Sequence, residues 1–334
     1  MRIPAPSGPL WVFVLLLGPL MGTGCQSTEP VDSTPELPVQ VRIPHVQAPV
    51  QRAFATPLPA DAPNLLLVSG YKSGAIHVYD LDLGEHLQDI APVPGAQSIV
   101  RGPDGFLYAC AEDIHQVLRI DPTSLEILGP FVADDPKTEE DENAGLDGPT
   151  AAIFGPDGNL YVASFNTDEI LRFDGSNGQF MDVFVEAAAG GLDGPDAGML
   201  FGSDGKLYVP SFYTHQVLRF DGGSGASAGV FVEREPGGLD RPRAILFHGT
   251  EVLVASAGNG RINRYDPTGQ FLGTLAQVPG PYCLAVHPEV PELFVCSGNS
   301  VESLDLETGE PLWTPVAPGS SSLSAATFHF FLNP

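Results

Sequence analysis

Six residues fall at one recurring point of the chain, each just after a Gly-Pro, Asp-Gly-Pro or comparable entry: Gln97, Thr150, Asp196, Arg243, Tyr282 and Ser324. An amide, two hydroxyls, a phenol, a carboxylate and a guanidinium can hold a polar ligand by hydrogen bonds and charge. Asp196 is the one carboxylate among them. A second recurring point holds His115, Asp168 and His215, completed by Gly74, Gly260 and Asn299. Together these positions read as a polar ligand pocket. They also read as ordinary solvated loop residues, because an unconstrained slot varies between copies in the same way.

The chemistry these residues exclude is as informative. Arg243 follows Asp196 in the next copy, so the two are expected to form an ion pair that repels a cation rather than binding one. No paired-carboxylate motif is present. An acidic insertion (Asp134, Asp135, Glu139, Glu140, Asp141, Glu142) lacks the spacing of a calcium loop and reads as a solvated flap. Calcium is the divalent cation left open as a cofactor, with none expected. The formal net charge is −26, which disfavours nucleic acid and anionic lipid heads as partners. Cations, sugars and basic protein patches remain open, as does a plain role in solubility.

The elements that position these residues are repeats. Gly155-Pro-Asp-Gly-Asn-Leu-Tyr-Val-Ala-Ser and its continuation to Asp174 recur as near-copies beginning at Gly102 and Gly202, with looser copies elsewhere. Alternating apolar residues such as Leu160 and Val162 mark strands, and Pro-Asp-Gly marks tight hairpins in which Asp104, Asp157 and Asp204 are turn residues. Residues in the slot of Val162 (Val68, Ala109, Val209, Val254, Val295) lie 41 to 53 residues apart. Six four-stranded units of that length predict an all-β, six-bladed β-propeller. Ser324-Ala-Ala-Thr-Phe-His329 looks like Thr150-Ala-Ala-Ile-Phe154 but has no strand after it. It is expected to pair with Leu65 to Ser69 and close the ring, which removes both free edges.

The run of Gly-Leu-Asp, Gly-Pro-Asp-Gly-x-Leu-Tyr-Val and Ile-Leu-Arg-Phe-Asp resembles the NHL-repeat, gluconolactonase-like and streptogramin-lyase-like propellers over roughly residues 60 to 334. That resemblance implies ligand binding on the face formed by loops between blades, and it covers enzymes and binding modules alike. In its metal-dependent enzymes, carboxylates or a His/Glu set hold a divalent cation on the channel axis. The six-residue ring here contains one carboxylate and neither His nor Glu, and His287 and His329 are expected at the opposite face. The expectation is therefore a non-catalytic protein that binds a small ligand or a cell-envelope protein at the channel mouth. The alternative is a metal-dependent hydrolase or lyase.

The N-terminal residues 1–24 read as a lipoprotein-type signal peptide, with Leu10 to Leu17 apolar and Cys25 as the lipidation site. Simple secretion is the alternative. Residues 25–64 are Pro-rich and predict an extended tether, and residues 65–334 form the propeller. The protein is expected to be a monomer, exported and held by lipid in the bacterial cell envelope at the outer membrane, facing the periplasm or the surface. Beyond Cys25 the cysteines are Cys110, Cys283 and Cys296. Pairing His287 with Glu292 across a hairpin places Cys283 opposite Cys296, close enough for a disulfide if the compartment oxidises it.

Overall fold

The computed structural model describes residues 64–133 and 145–332. Cys25, the tether up to residue 63 and the acidic residues 134–142 lie outside the described residues. Within them the chain forms six four-stranded antiparallel sheets. From the axis outward, the second blade runs Ala96–Arg101, Leu107–Ala111, Gln116–Ile120 and Ile127–Val132, and the third runs Pro149–Phe154, Leu160–Ser164, Glu169–Phe173 and Phe180–Val185. The fourth has a short innermost strand, Leu200–Phe201, and Pro195 bridges to Ser211 ahead of it. The fifth and sixth blades begin at Pro242–His248 and Pro281–Val286. The first blade takes its innermost strand, Ala326–Leu332, from the C-terminal end, followed by Leu65–Gly70, Ala75–Asp80 and His86–Ile90.

Closure is thus by the last strand, with Leu65 opposite Leu332 and Val68 opposite His329. The register differs from the sequence expectation by three residues. Ala326 pairs at the end of Leu65–Gly70 as Pro149 pairs at the end of Leu160–Ser164, so Thr327, not Ser324, is the counterpart of Thr150. The hydroxyls agree: Thr150 donates to the Pro195 carbonyl at 2.8 Å and Thr327 to the Ala96 carbonyl at 2.7 Å, each reaching the same position of the next blade. His329 consequently lies mid-strand and buried, rather than at the far face.

Alternation along each strand sends its apolar residues to two neighbouring blades in turn. The core accordingly lies between blades. Leu67, Ile76 and Val78 of the first blade pack with Ile99, Leu107 and Ala109 of the second, and Tyr161 and Ile170 of the third pack with Leu207 and Val209 of the fourth. Aromatic pairs fill these seams: Tyr161 meets Phe184 of its own blade at 4.8 Å and Phe201 of the next blade at 5.1 Å, both edge to face. The Pro-Asp-Gly turns form as the residue types require. Asp157 accepts the Asn159 N–H at 3.1 Å and the Tyr161 hydroxyl at 3.0 Å, and Gly158 takes a φ of 81°.

Candidate active site at the channel mouth

Each innermost strand begins with a residue that faces the axis, and the last blade-to-blade turns close around it. The resulting cavity has a volume of about 370 Å³. Gln97, Thr150, Asp196, Arg243 and Tyr282 all line it; Thr327 takes the sixth place, and Ser324 is not among the lining residues. The slot missed from sequence is the residue just after each second strand, held by Tyr71, Glu112, Phe165, Phe212, Ala257 and Gly298, of which the first four line the cavity. Applying the repeat count to that position would have shown one carboxylate, three aromatic residues, an alanine and a glycine.

Asp196 is fully buried. Its Oδ1 accepts the Ala197 N–H at 2.6 Å, and Arg243 Nη1 lies 3.3 Å from Oδ2, an oxygen that has no well-directed hydrogen bond. The Arg243 guanidinium is held between two rings, 4.9 Å from the centre of Phe212 and 4.7 Å from that of Tyr282. Burial raises the Asp196 pKa above the usual carboxylate range, against the lowering effects of Arg243 and the Ala197 N–H. The expected ion pair is present in distance, yet the guanidinium is shared with two aromatic faces and does not fully satisfy the carboxylate.

Glu112 opens the short 3-10 turn Glu112–Ile114, which swings it from the end of Leu107–Ala111 toward the axis. Its carboxylate accepts a hydrogen bond from the Gln97 amide, while Gln97 Oε1 is buried without a partner. Burial raises the Glu112 pKa; the Gln97 hydrogen bond opposes this, and the charge of Asp196 adds to it. Next to it, Tyr71 donates to Asp113 at 3.2 Å, and burial together with the Glu112 and Asp113 charges pushes its phenol up to about 12. Two carboxyl groups that sense one another, an arginine and aromatic walls therefore share one enclosure.

The second expected ring does not join them. His115, Asp168 and His215 have left-handed backbones, with φ of 53°, 60° and 60°, and none lines the cavity. Each instead braces the next blade: His115 Nδ1 accepts the Gly148 N–H at 3.1 Å, Asp168 the Gly194 N–H at 2.7 Å and His215 Nδ1 the Arg241 N–H at 3.1 Å. Asn299 does the same for Ala325 at 2.8 Å. Left-handed φ at this slot also accounts for Gly74 and Gly260.

At the seam between the sixth and first blades, Cys283 and Cys296 are bonded as a disulfide with Cα atoms 5.2 Å apart. His329 Nδ1 lies 2.8 Å from Cys283 Sγ, and the disulfide and the imidazole pack together in the core. Burial lowers the His329 pKa to about 3, so its ring is neutral. Cys110 is a buried free thiol.

No protein-family profile matches the chain, and no curated protein is similar to it. Solved structures do resemble it. One from a nidogen/laminin complex is 15% identical with a TM-score of 0.61, covering 76% of this chain and 94% of its own. A virginiamycin B lyase from Staphylococcus aureus is 16% identical with a TM-score of 0.51, covering 75% of this chain and 83% of its own. A putative gluconolactonase is 15% identical with a TM-score of 0.54, covering 79% of this chain and 98% of its own. At these identities the likeness establishes the propeller fold alone.

The expectation of a binding face without catalysis is corrected by this site. It rested on a ring with a single carboxylate neutralised by arginine. Glu112 supplies a second carboxylate in the same cavity, and burial leaves both groups with raised pKa values. The reason for excluding acid–base chemistry is therefore removed.

Proposed function

We propose that the channel mouth is the active site of a hydrolase or lyase acting on a small molecule. The observation that carries this reading is Glu112, a carboxyl with a raised pKa in the same cavity as Arg243. A carboxyl poised nearer neutrality is suited to move a proton to or from water or a carbon acid, and Gln97 orients it. Arg243, held flat by Phe212 and Tyr282, offers N–H donors to an oxygen that gains negative charge during the reaction. Phe165 and Tyr213 extend the aromatic wall, which suits a substrate with a planar or apolar portion beside an ester or lactone group.

A divalent cation, implied by the resemblance to metal-dependent propellers, does not fit this mouth. Among the described residues no set of three metal-binding side chains gathers there, and the guanidinium 3.3 Å from Asp196 opposes a cation. The residues present do the work assigned above without one. Export, lipid attachment at Cys25 and display in the cell envelope as a monomer complete the proposal, supported by the leader pattern and the acidic composition.

The test is hydrolysis or elimination on a panel of lactones and cyclic esters, measured with and without a chelator. Turnover that survives the chelator and is lost in Glu112→Gln supports the reading. No turnover on any ester or lactone, or turnover unchanged in Glu112→Gln, overturns it.

A further inference from the structure

Away from the channel mouth, donor atoms converge on the outer half of the first blade. His77 lies on Ala75–Asp80, and His86 and Asp89 lie on His86–Ile90; His77 and Asp89 face each other directly across the two strands. Asp89 Oδ1 is 2.7 Å from His77 Nδ1 and 2.7 Å from His86 Nε2. The donor atoms of all three lie within 4.8 Å of one another.

Ser73 Oγ lies 3.1 Å from the Gly70 carbonyl oxygen and 2.8 Å from His77 Nε2. Where Ser73 donates to that carbonyl, His77 Nε2 donates to Ser73 and Nδ1 turns its lone pair toward the gap beside Asp89 Oδ1, 2.7 Å away, which is the tautomer that ligates a metal ion; in the opposite tautomer Nδ1 donates a hydrogen bond to the same oxygen. The arrangement is tightly built: a Cβ at Gly70 would fall 2.0 Å from Ser73 Oγ and 3.1 Å from His77 Nε2, so only glycine leaves room for this contact. The His77 side chain is 1% exposed, whereas His86 and Asp89 are 29% and 38% exposed, so a fixed inner ligand meets two ligands reachable from solvent.

We infer that His77 Nδ1, His86 Nε2 and the Asp89 carboxylate form a binding site for a divalent transition-metal ion of the zinc type, with Ser73 orienting the His77 ring through Nε2. Two imidazoles and one carboxylate suit Zn²⁺, Ni²⁺ or Cu²⁺ and not Ca²⁺ or Mg²⁺. Three protein ligands leave a coordination position open to solvent. The hydroxyl on the far ring nitrogen is the kind of outer partner that holds a metal-binding histidine in one tautomer. This site is separate from the channel mouth and does not rest on the proposed activity.

The full chain, kept oxidised so that Cys283 and Cys296 offer no thiolate, is stripped with chelator and titrated with Zn²⁺ by calorimetry and with Co²⁺ by absorption. One equivalent per chain is expected, with a Co²⁺ spectrum lacking thiolate charge-transfer bands and a rise in Tm on adding Zn²⁺. His86→Ala and Asp89→Asn, both on the solvent side, should each lower affinity at least tenfold, and Ser73→Ala should lower it about tenfold with all three ligands intact. Absence of stoichiometric uptake by the wild-type protein overturns the inference and leaves a proton in the gap. Uptake unchanged in both His86→Ala and Asp89→Asn overturns it as well.

Discussion

Carboxylates at the hairpin turns and at the channel mouth are the same chemical group in opposite settings. Asp104, Asp157 and Asp204 are each partly shielded, which alone would raise their pKa values, yet hydrogen bonds from a tyrosine hydroxyl, a backbone N–H and a neighbouring side chain together hold all three below the usual range. Asp196 and Glu112 have fewer donors. Asp196 Oδ2 lacks a hydrogen bond, and Glu112 is oriented by one amide, so burial prevails and both are raised. Donor count per carboxylate, set against burial, separates groups that hold a turn from groups left able to exchange a proton.

The sharpest break between the two regions is expected from exchanging charge for amide in each. Glu112→Gln should lower kcat on a lactone or ester substrate by about 10²- to 10⁴-fold while leaving Tm nearly unchanged. Asp157→Asn should do the reverse, lowering Tm and sparing kcat. Parallel kinetics and melting curves check this, and a Glu112→Gln protein with normal kcat would erase the distinction.

Arg243→Ala comes next. It strips the buried Asp196 of its ion-pair partner and should cost about 3 kcal/mol in denaturant unfolding, at the lower end for a broken buried pair because the arginine is partly exposed. Asp196 can recover part of that by staying protonated, so the loss should be greater at pH 8 than at pH 5.

The two regions should also give pH slopes of opposite sign. The turn aspartates have depressed folded pKa values, so their contribution is present above the unfolded value near 4 and is lost as pH falls through the folded values. Glu112 and Asp196 have raised folded values, so they favour the fold when protonated and that contribution is lost as pH rises from the unfolded value through the folded ones. Unfolding curves at pH 3 to 8 should show Glu112→Gln flattening the limb on the alkaline side and Asp157→Asn flattening the acid limb. The smallest effect is expected from Tyr161→Phe, which removes one donor from Asp157 and should cost about 1 kcal/mol in urea unfolding.

Blade number, hairpin positions and closure by the last strand were determined by the sequence alone, because period-2 alternation recurs in every blade and an Asp-Gly hairpin turn marks three of them, both local signals. Five of the six axial slots followed from the same count. Ser324 did not, because Ser324-Ala-Ala-Thr imitates Thr150-Ala-Ala-Ile in composition, whereas the register is set by the left-handed residue before each innermost strand, Gly148 in one case and Ala325 in the other. His115, Asp168 and His215 look like binding groups in sequence, and only the structure shows that their side chains are consumed by backbone N–H groups of the next blade. The repeat count reaches the position of Glu112 but not its meaning. That depends on turns from several blades meeting at the axis, where its approach to Gln97, Arg243 and Asp196 exists only after the ring has closed.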